Sequence, residues 1–480
     1  MSQPVHWIYA ERAVLPQKDG AHAIGPALLC LSAVLTNVIT HPEQVKKQLQ
    51  EISPDKLTTY SDRYVIAPSF INAHTHLAMA CFRALGVEAA TGHNVVEDLF
   101  FKVESSLKPE DIAAFTQMGA YESLLCGVGL VWDHYYQGRA MAQAIAQTPL
   151  CAVVAPTLQD IGGPGTGQLE QQWRDTISLV EDPLPGIWAA LGPHATDTVS
   201  PELWERIARQ AAQGGLPIHV HVAQSVDEWQ RAHARHGRSP VGMLHELGVL
   251  DVPVPLALIH SIYMSDEDFE LLDPQRHFLG FCPYSQLIFE FPADVQRWHA
   301  HGLPWFAATD CAASNDSMNV QKELRYIGGM RTNPTSSGAA YEAFERAPSP
   351  DTAGALQRAR VAHHTRRAPW THEGALLQRV WDIPGRMHPA FEAGVLAPGA
   401  LANLTVWDTQ HPSFWPGTHP LRTLALGDTC GAIHQMLSLG RWVGQAGDFH
   451  RSITQSDAYT QTRTRADEAL KGLRARLGLA

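Results

Sequence analysis

Pro217-Ile218-His219-Val220-His221-Val222-Ala223-Gln224 is the stretch that decides the fold. Through Val222 apolar residues alternate with histidines, which is the period of a strand. Amphipathic segments flank it, Pro201–Gly214 before and Asp227–Leu247 after, and a second apolar run, Pro255–Ile259, follows. Strand, helix, strand in that order is the repeating unit of a parallel sheet with helices outside it. The same texture extends in both directions. Gly129–Trp132, Cys151–Ala155 and Gly186–Leu191 precede the stretch, Phe278–Cys282 and Trp305–Thr309 follow it, and Pro109–Cys126 is a further helical segment. Alternation repeated this often predicts an α/β protein with a (β/α)8 TIM-like barrel.

Outside this region the texture changes. Residues 1 to about 67 read as short strands and turns, an all-β segment in which Ala33–Ile39 and Arg63–Ile66 are the better candidates. Near Gly394 strands return, with Ala402–Trp407 and His434–Gly444, before an amphipathic helix over Ser456–Leu477. Residues 1–67 and 391–480 are therefore expected to pair into a small β-sandwich-like domain carrying the C-terminal helix. Residues 68–390 are assigned to the barrel. Asp351–His372, rich in Arg and His, reads as a helical face near the last barrel strand. A chain of 480 residues suits one large barrel with a smaller companion.

The formal charge of -12 and the lack of a basic stripe give nucleic-acid binding no electrostatic support. Gly25, Pro26 and Asn37 interrupt the apolar stretch Ala21–Thr40, which reads as strands and not as a membrane span. The seven cysteines form no CxxC pair, and their number is odd, so no disulfide framework is expected. With no signal pattern in MSQPVHWIYAER, a reducing cytoplasm is the expected compartment.

Four stretches carry chemistry. In Phe70-Ile71-Asn72-Ala73-His74-Thr75-His76, residues two apart on a strand share a side, so His74 and His76 project together and form half of a metal site. The bland alternative is two unrelated histidines among 25. His219 and His221 both face inward on their strand, with His219 expected to be a packed core histidine satisfied by a hydrogen bond. His260 ends the apolar run PLALIH at Pro255–His260, where barrel enzymes place catalytic groups. Phe306-Ala307-Ala308-Thr309-Asp310 delivers a carboxylate at a strand end, and a buried carboxylate needs a partner such as a metal. The alternative for Asp310 is capping of a helix near Ser317–Tyr326, for which Ser314, Asn315 and Asp316 are better placed.

The order of these motifs resembles the amidohydrolase superfamily, in particular its branch of cytosine and guanine deaminases, S-adenosylhomocysteine deaminases and triazine hydrolases. APSFINAHTHLAM (67–79), GPHATDTVSP (192–201), CPYSQ (282–286), ATDCAASND (308–316) and GVLAPGALANLTVWD (394–408) each resemble a segment of that branch, across nearly the whole chain. The resemblance implies that His74, His76, His221 and Asp310 hold one divalent ion. Zinc is expected from the N and O donors, with iron or manganese as alternatives. It further implies that His260 orients the attacking water or polarises the oxyanion, and that His194 contacts substrate. Ser314, Asn315 and Arg83 are further candidates for substrate contact. A bound divalent ion lowers the pKa of water from about 15.7 to about 7, and Asp310 is placed to take a proton and pass it to the leaving group. The resemblance also implies a homodimer or larger assembly.

The pattern breaks at Gln224, where the deaminase branch carries a Glu that shuttles a proton. An amide can hydrogen-bond but cannot carry a proton through a cycle. Tyr263, Phe281, Gln286 and Asp197 also depart from the branch around the same pocket, and Trp132 and Phe82 are candidates for pocket walls or plain core. The leading expectation is hydrolysis of a C–N bond in a small nitrogen heterocycle, with deamination favoured and Gln224 in the catalytic set. The alternatives are dechlorination or cyclic-amide opening, or a metal-binding protein without catalysis.

Overall fold

The structure is a computed structural model that describes residues 6–17, 21–84, 94–330, 335–365 and 368–479. The N-terminal segment contributes β1 (His6–Pro16), β2 (His22–Leu31), β3 (Leu35–Ile39), β4 (Leu57–Tyr60) and β5 (Tyr64–Pro68). β1 and β2 form an antiparallel pair whose register shifts between Ala10 and Ala13. The segment is not all-β as expected. Pro42–Glu51 is a helix, because PEQVKKQLQE has no strand alternation, starts with proline and buries only Val45.

The apolar runs of the middle region become short parallel strands: β6 (Phe70–His76), β7 (Val128–Tyr135), β8 (Cys151–Leu158), β9 (Ile187–Ala189), β10 (Gly192–Pro193), β11 (Ile218–Val222), β12 (Leu256–His260), β13 (His277–Phe281), β14 (Trp305–Ala307) and β15 (Asp310–Cys311). They pair in the order β10-β8-β7-β6-β15, with β9 on β8, and separately β11-β12-β13-β14. Parallel bridges Leu191–Ile218 and Ala195–His221 connect the two groups on one side. On the other, β14 runs into β15 within seven residues, and Ala308 N–H donates to Phe281 O at 3.0 Å.

Alternate residues of these strands, including Ile71, Ala73, Leu130, Trp132, Val153, Ile259 and Phe306, make one buried cluster. The intervening residues pack against helices in a second cluster. Pro201–Gly214 shows why such a helix forms where it does. Ser200 caps it by accepting from Leu203 N–H, Pro201 sits in its first turn, and Gly215 ends it at φ +62°. Its buried face is Leu203, Trp204, Ile207 and Ala211. Losing Trp204 to Ala would cost roughly 3–5 kcal/mol. The segment Asp227–Leu247 is two helices, Val226–His236 and Pro240–Glu246, broken by Gly237 at φ +66° and restarted by Ser239 and Pro240.

β16 (Leu404–Asp408), β17 (Ile433–Ser438) and β18 (Arg441–Val443) return to the N-terminal strands. β16 lies antiparallel to β5, giving one eight-stranded sheet in the order β18-β17-β16-β5-β1-β2-β3, with β4 on β1. The C-terminal helix Asp457–Arg476 packs on Pro109–Leu125, where the rings of Tyr121 and Tyr459 are 5.2 Å apart. Among the described residues no helix is long and apolar enough to cross a membrane, and all seven cysteines are free.

Candidate active site

His74 and His76 from β6, His221 from β11, His260 from β12 and Asp310 from β15 meet at the C-terminal ends of their strands. Two sets of donors, His74 with His76 and His221, and His74 with His260 and Asp310, each have ligand atoms within 4.8 Å of one another. Asp310 Oδ1 lies 3.4 Å from His74 Nε2 and 3.3 Å from His76 Nε2, and its Oδ2 lies 3.9 Å from His260 Nε2. All five side chains are buried.

Four of the five are fixed from behind. His74 Nδ1 is 3.0 Å from His219 Nε2. His76 Nδ1 bonds the carbonyl of His134, and His221 Nδ1 bonds the carbonyl of His194 at 2.6 Å. Asp310 Oδ2 accepts from Ser285 Oγ–H at 2.5 Å, and its Oδ1 accepts from Cys311 N–H at 2.7 Å. Such contacts set the tautomer and direction of ligating imidazoles, leaving Nε2 free to face an ion.

The electrostatics suit a cation. Burial pushes His74 down to about 3, drives His221 well below the usual imidazole range and lowers His260, so these three rings are neutral donors, whereas for His76 burial is outweighed by the contact with Asp310, which raises it. Asp310 goes the other way. Burial would raise it, but the contacts with His74 and His76 outweigh that and hold it well below the ordinary carboxylate range. His74 Nε2 is buried with no hydrogen-bond partner among the described residues. Neutral imidazoles, one ionised carboxylate and an orphaned buried nitrogen fit a divalent ion with N and O ligands.

Above this cluster is a small inner cavity of about 80 Å³, lined by His76, His221, His260 and Asp310 and also by Glu104, His134 and Tyr135. It adjoins an outer chamber of about 660 Å³ that shares His194, Gln224 and His260 and includes Ser314, Gln286 and Asp197. Gln224 thus faces both spaces, and its backbone N–H donates to Glu228 Oε2 at 2.7 Å.

Two expectations are corrected here. Arg83 lines neither cavity; it is exposed and bonds Glu122 Oε2 at 2.6 Å. Asn315 is turned away as well, its amide bridging Thr309 O and Glu323 Oε1, both at 2.8 Å, so it braces the loop after Asp310. The helix after that loop, Val320–Gly329, is capped by Asn319 and not by Ser314, Asn315 or Asp316, because it starts later than expected. His219 is fully buried and bonded to His74. Trp132, Phe82 and Phe281 are core. Tyr263 donates to Glu290 Oε2 at 2.5 Å, and Asp197 pairs with Arg231 at 3.1 Å.

Sequence reading missed Ser285, Glu104 and His134. The signal for His134 was available in Trp132-Asp133-His134-Tyr135, the polar end of a strong apolar strand. Glu104 carried none, since it lies on the short helix Phe101–Glu104, remote from any motif. Burial raises its carboxyl to about 7.

A fold with parallel strands, outer helices and a histidine-rich donor cluster at the strand ends defines a metal-dependent hydrolase class. The chain belongs to the amidohydrolase family, whose model matches residues 65–344, and it is a metal-dependent C–N hydrolase. A 5-methylthioadenosine/S-adenosylhomocysteine deaminase of Pelotomaculum thermopropionicum is 28% identical over 73% of this chain and 74% of its own length. A 5'-deoxyadenosine deaminase of Methanopyrus kandleri is 25% identical over 82% and 84%. Among solved structures, an adenosine deaminase from Xanthomonas campestris with bound zinc superposes with a TM-score of 0.77, covering 98% of both chains at 19% identity.

Proposed function

We propose that this protein is an aminohydrolase that removes an amino group from a nucleoside-like nitrogen heterocycle, with His74, His76, His221 and Asp310 holding a single zinc ion. The observation that carries this reading is the convergence of these four residues with His260, with His76, His221, His260 and Asp310 lining one inner cavity. A zinc ion there would supply an acidified water at neutral pH. Asp310, ionised and oriented by Ser285, accepts a proton from the attacking water and returns it to the departing amine. His260, neutral and at the cavity wall, donates to the oxygen as charge develops on it. His194, Gln224 and Ser314 contact the substrate from the chamber side. Relatives named for adenosine-derived substrates support a purine nucleoside as the leading substrate class. The chamber is lined by Glu97, Asp197, Asp227, Glu290 and Asp316 with no lysine or arginine among the described residues. This lining favours neutral or cationic substituents over anionic ones.

Residues 68–390 are read as a closed (β/α)8 barrel, supported by the parallel pairing within the two strand groups and by the bridges Leu191–Ile218 and Ala195–His221 between them. Residues 1–67 and 391–480 are read as a separate β domain of sandwich type built around the eight-stranded terminal sheet. A cytoplasmic homodimer or larger homo-oligomer is part of the same reading.

A second reading follows from Gln224. Without a carboxylate there, ring protonation has no dedicated donor at that position, and hydrolysis of a substrate with a better leaving group becomes competitive. Release of ammonia by the zinc-loaded protein from a panel of purine nucleosides, pterins, pyrimidines and triazines separates the two. Chloride release without ammonia would sink the deaminase reading. Gln224→Glu is the sharper probe: a rise in ammonia release marks the shuttle as the missing part, and an unchanged rate removes Gln224 from that account.

A further inference from the structure

His134 belongs to none of the roles assigned above. It lies near the end of β7, its side chain is 1% exposed, and neither Nδ1 nor Nε2 has a hydrogen-bond partner among the described residues. Its backbone carbonyl accepts from His76. The ring is packed among other imidazoles, with centroids 5.0 Å from His221, 5.5 Å from His219, 6.0 Å from His76 and 6.5 Å from His194. These neighbours offer it no hydrogen bond. It is outside both sets of converging donors, so it is not an evident metal ligand.

A buried imidazole with two unsatisfied nitrogens carries a desolvation cost that an apolar side chain of the same size would avoid. The protein bears that cost at the wall of the inner cavity, which His134 lines together with Asp310, His260 and Gln224. Tyr135, beside it on the strand and on the same cavity, has its buried hydroxyl beside the Glu104 carboxyl. A buried ring with no partner for either nitrogen at the wall of one small space points to a ligand that supplies one. Burial and the surrounding imidazoles keep the His134 ring neutral.

We propose that His134 is a substrate-binding residue that offers one ring nitrogen, as donor or acceptor according to its tautomer, to the polar edge of the heterocycle as it enters the inner cavity. The proposal rests on the deaminase reading only for the nature of the ligand. His134 thereby adds a recognition element on β7, on the same cavity as Gln224, which follows β11 and stands in place of a carboxylate. Substrates presenting a polar ring atom there satisfy that nitrogen, whereas a purely apolar ring leaves it unpaired.

The test compares zinc-loaded full-length wild type with His134→Met and His134→Gln. Three quantities are read: zinc per chain, the melting temperature without substrate, and kcat and KM for 5'-methylthioadenosine. Both variants are expected to keep their zinc. His134→Met is expected to melt a few degrees higher, because the idle polar ring is gone, and to lose about 10- to 100-fold in kcat/KM. His134→Gln, which retains a donor and an acceptor, is expected to recover most of that loss. A lower melting temperature or lost zinc in His134→Met would make the residue structural and overturn the proposal. So would a kcat/KM within twofold of an active wild type. If wild type releases no ammonia from 5'-methylthioadenosine or the wider panel, the deaminase reading fails, and the melting comparison alone decides on His134.

Discussion

His219→Phe is the perturbation whose size the structure fixes best. For His74 to present its Nε2 lone pair to an ion, its proton must sit on Nδ1, and the acceptor for that proton is His219 Nε2 at 3.0 Å. Both rings are fully buried, so no solvent replaces the bond when it is lost. Phenylalanine keeps most of the volume beside Trp132, whose ring lies 5.6 Å from that of His219, so packing loss is small. What remains is one buried N–H without an acceptor, at about 1–3 kcal/mol, or roughly 5- to 150-fold. The range expected for losing the outer partner of a metal-bound histidine, about 10- to 100-fold in affinity, falls inside it. Competition for zinc against a chromophoric chelator measures this directly. His219→Gln, which restores an acceptor, should regain most of the affinity. An affinity within twofold of wild type in His219→Phe would show that His74 does not bind through a tautomer set by His219, and the description of the donor set would have to be redrawn.

Three further outcomes are expected. Asp310→Asn keeps the shape of the site but removes the base, so kcat/KM should fall about 10²- to 10⁴-fold, measured by ammonia release with zinc content checked in parallel. Removing the ion with a chelator should abolish turnover and lower the melting temperature, since an ion present at about 1,000 times its Kd contributes roughly 4 kcal/mol to stability. Zinc should restore both, and an unchanged melting temperature would count against a structural contribution from the site. His388 is buried, its Nε2 lies 3.2 Å from Ala189 O, and burial lowers its pKa from 6.5 to about 4. Between those values the unfolded chain binds a proton that the folded one does not, so stability is lost as pH falls through this window. From pH 7 to pH 5 the loss from this residue is roughly 2 kcal/mol. Urea unfolding of His388→Asn should show a shallower loss, and an identical slope would remove His388 from the acid sensitivity.

Much of the fold was legible because it is written in local periodicity. The run Ile218–Val222 alternates, is too short for a helix and lies between amphipathic segments, and it is a parallel strand in the structure. Cys151–Leu158 and Leu256–His260 are equally plain. Pro42–Glu51 was not, because its single buried residue leaves almost no apolar pattern to read. For the site, the positions whose residue type is itself the chemistry were visible. Those whose part depends on a neighbour brought in by the fold were not. Ser285 matters because Asp310 lies across from it on another strand end, and Asn315 is lost to substrate contact because Glu323, eight residues on, captures its amide.

Alternation alone would not have built this centre. Ile71 and Ala73 belong to the inner core, so a regular β6 would send His74 to the outside. The strand instead carries an extra residue: Asn72 pairs with Val131, but Thr75, three positions on, pairs with Asp133, only two positions on. That bulge turns His74 inward. The same problem recurs on β12, where Ala257 and Ile259 face the inner core and His260 is out of phase with them, and the chain answers with φ +75° at His260 and +47° at Ser261. Ala223, after β11, and Asp310, on β15, are likewise at positive φ, +51° and +63°. A residue with a Cβ in that region costs on the order of 1–3 kcal/mol and persists only where the surroundings hold it. Here the strained residues lie after β11, at the end of β12 and at the start of β15, all around one cluster of donors. The strain is therefore tied to aiming side chains, and a barrel-like sheet with ideal strands would keep its core while scattering the imidazoles that give it chemistry.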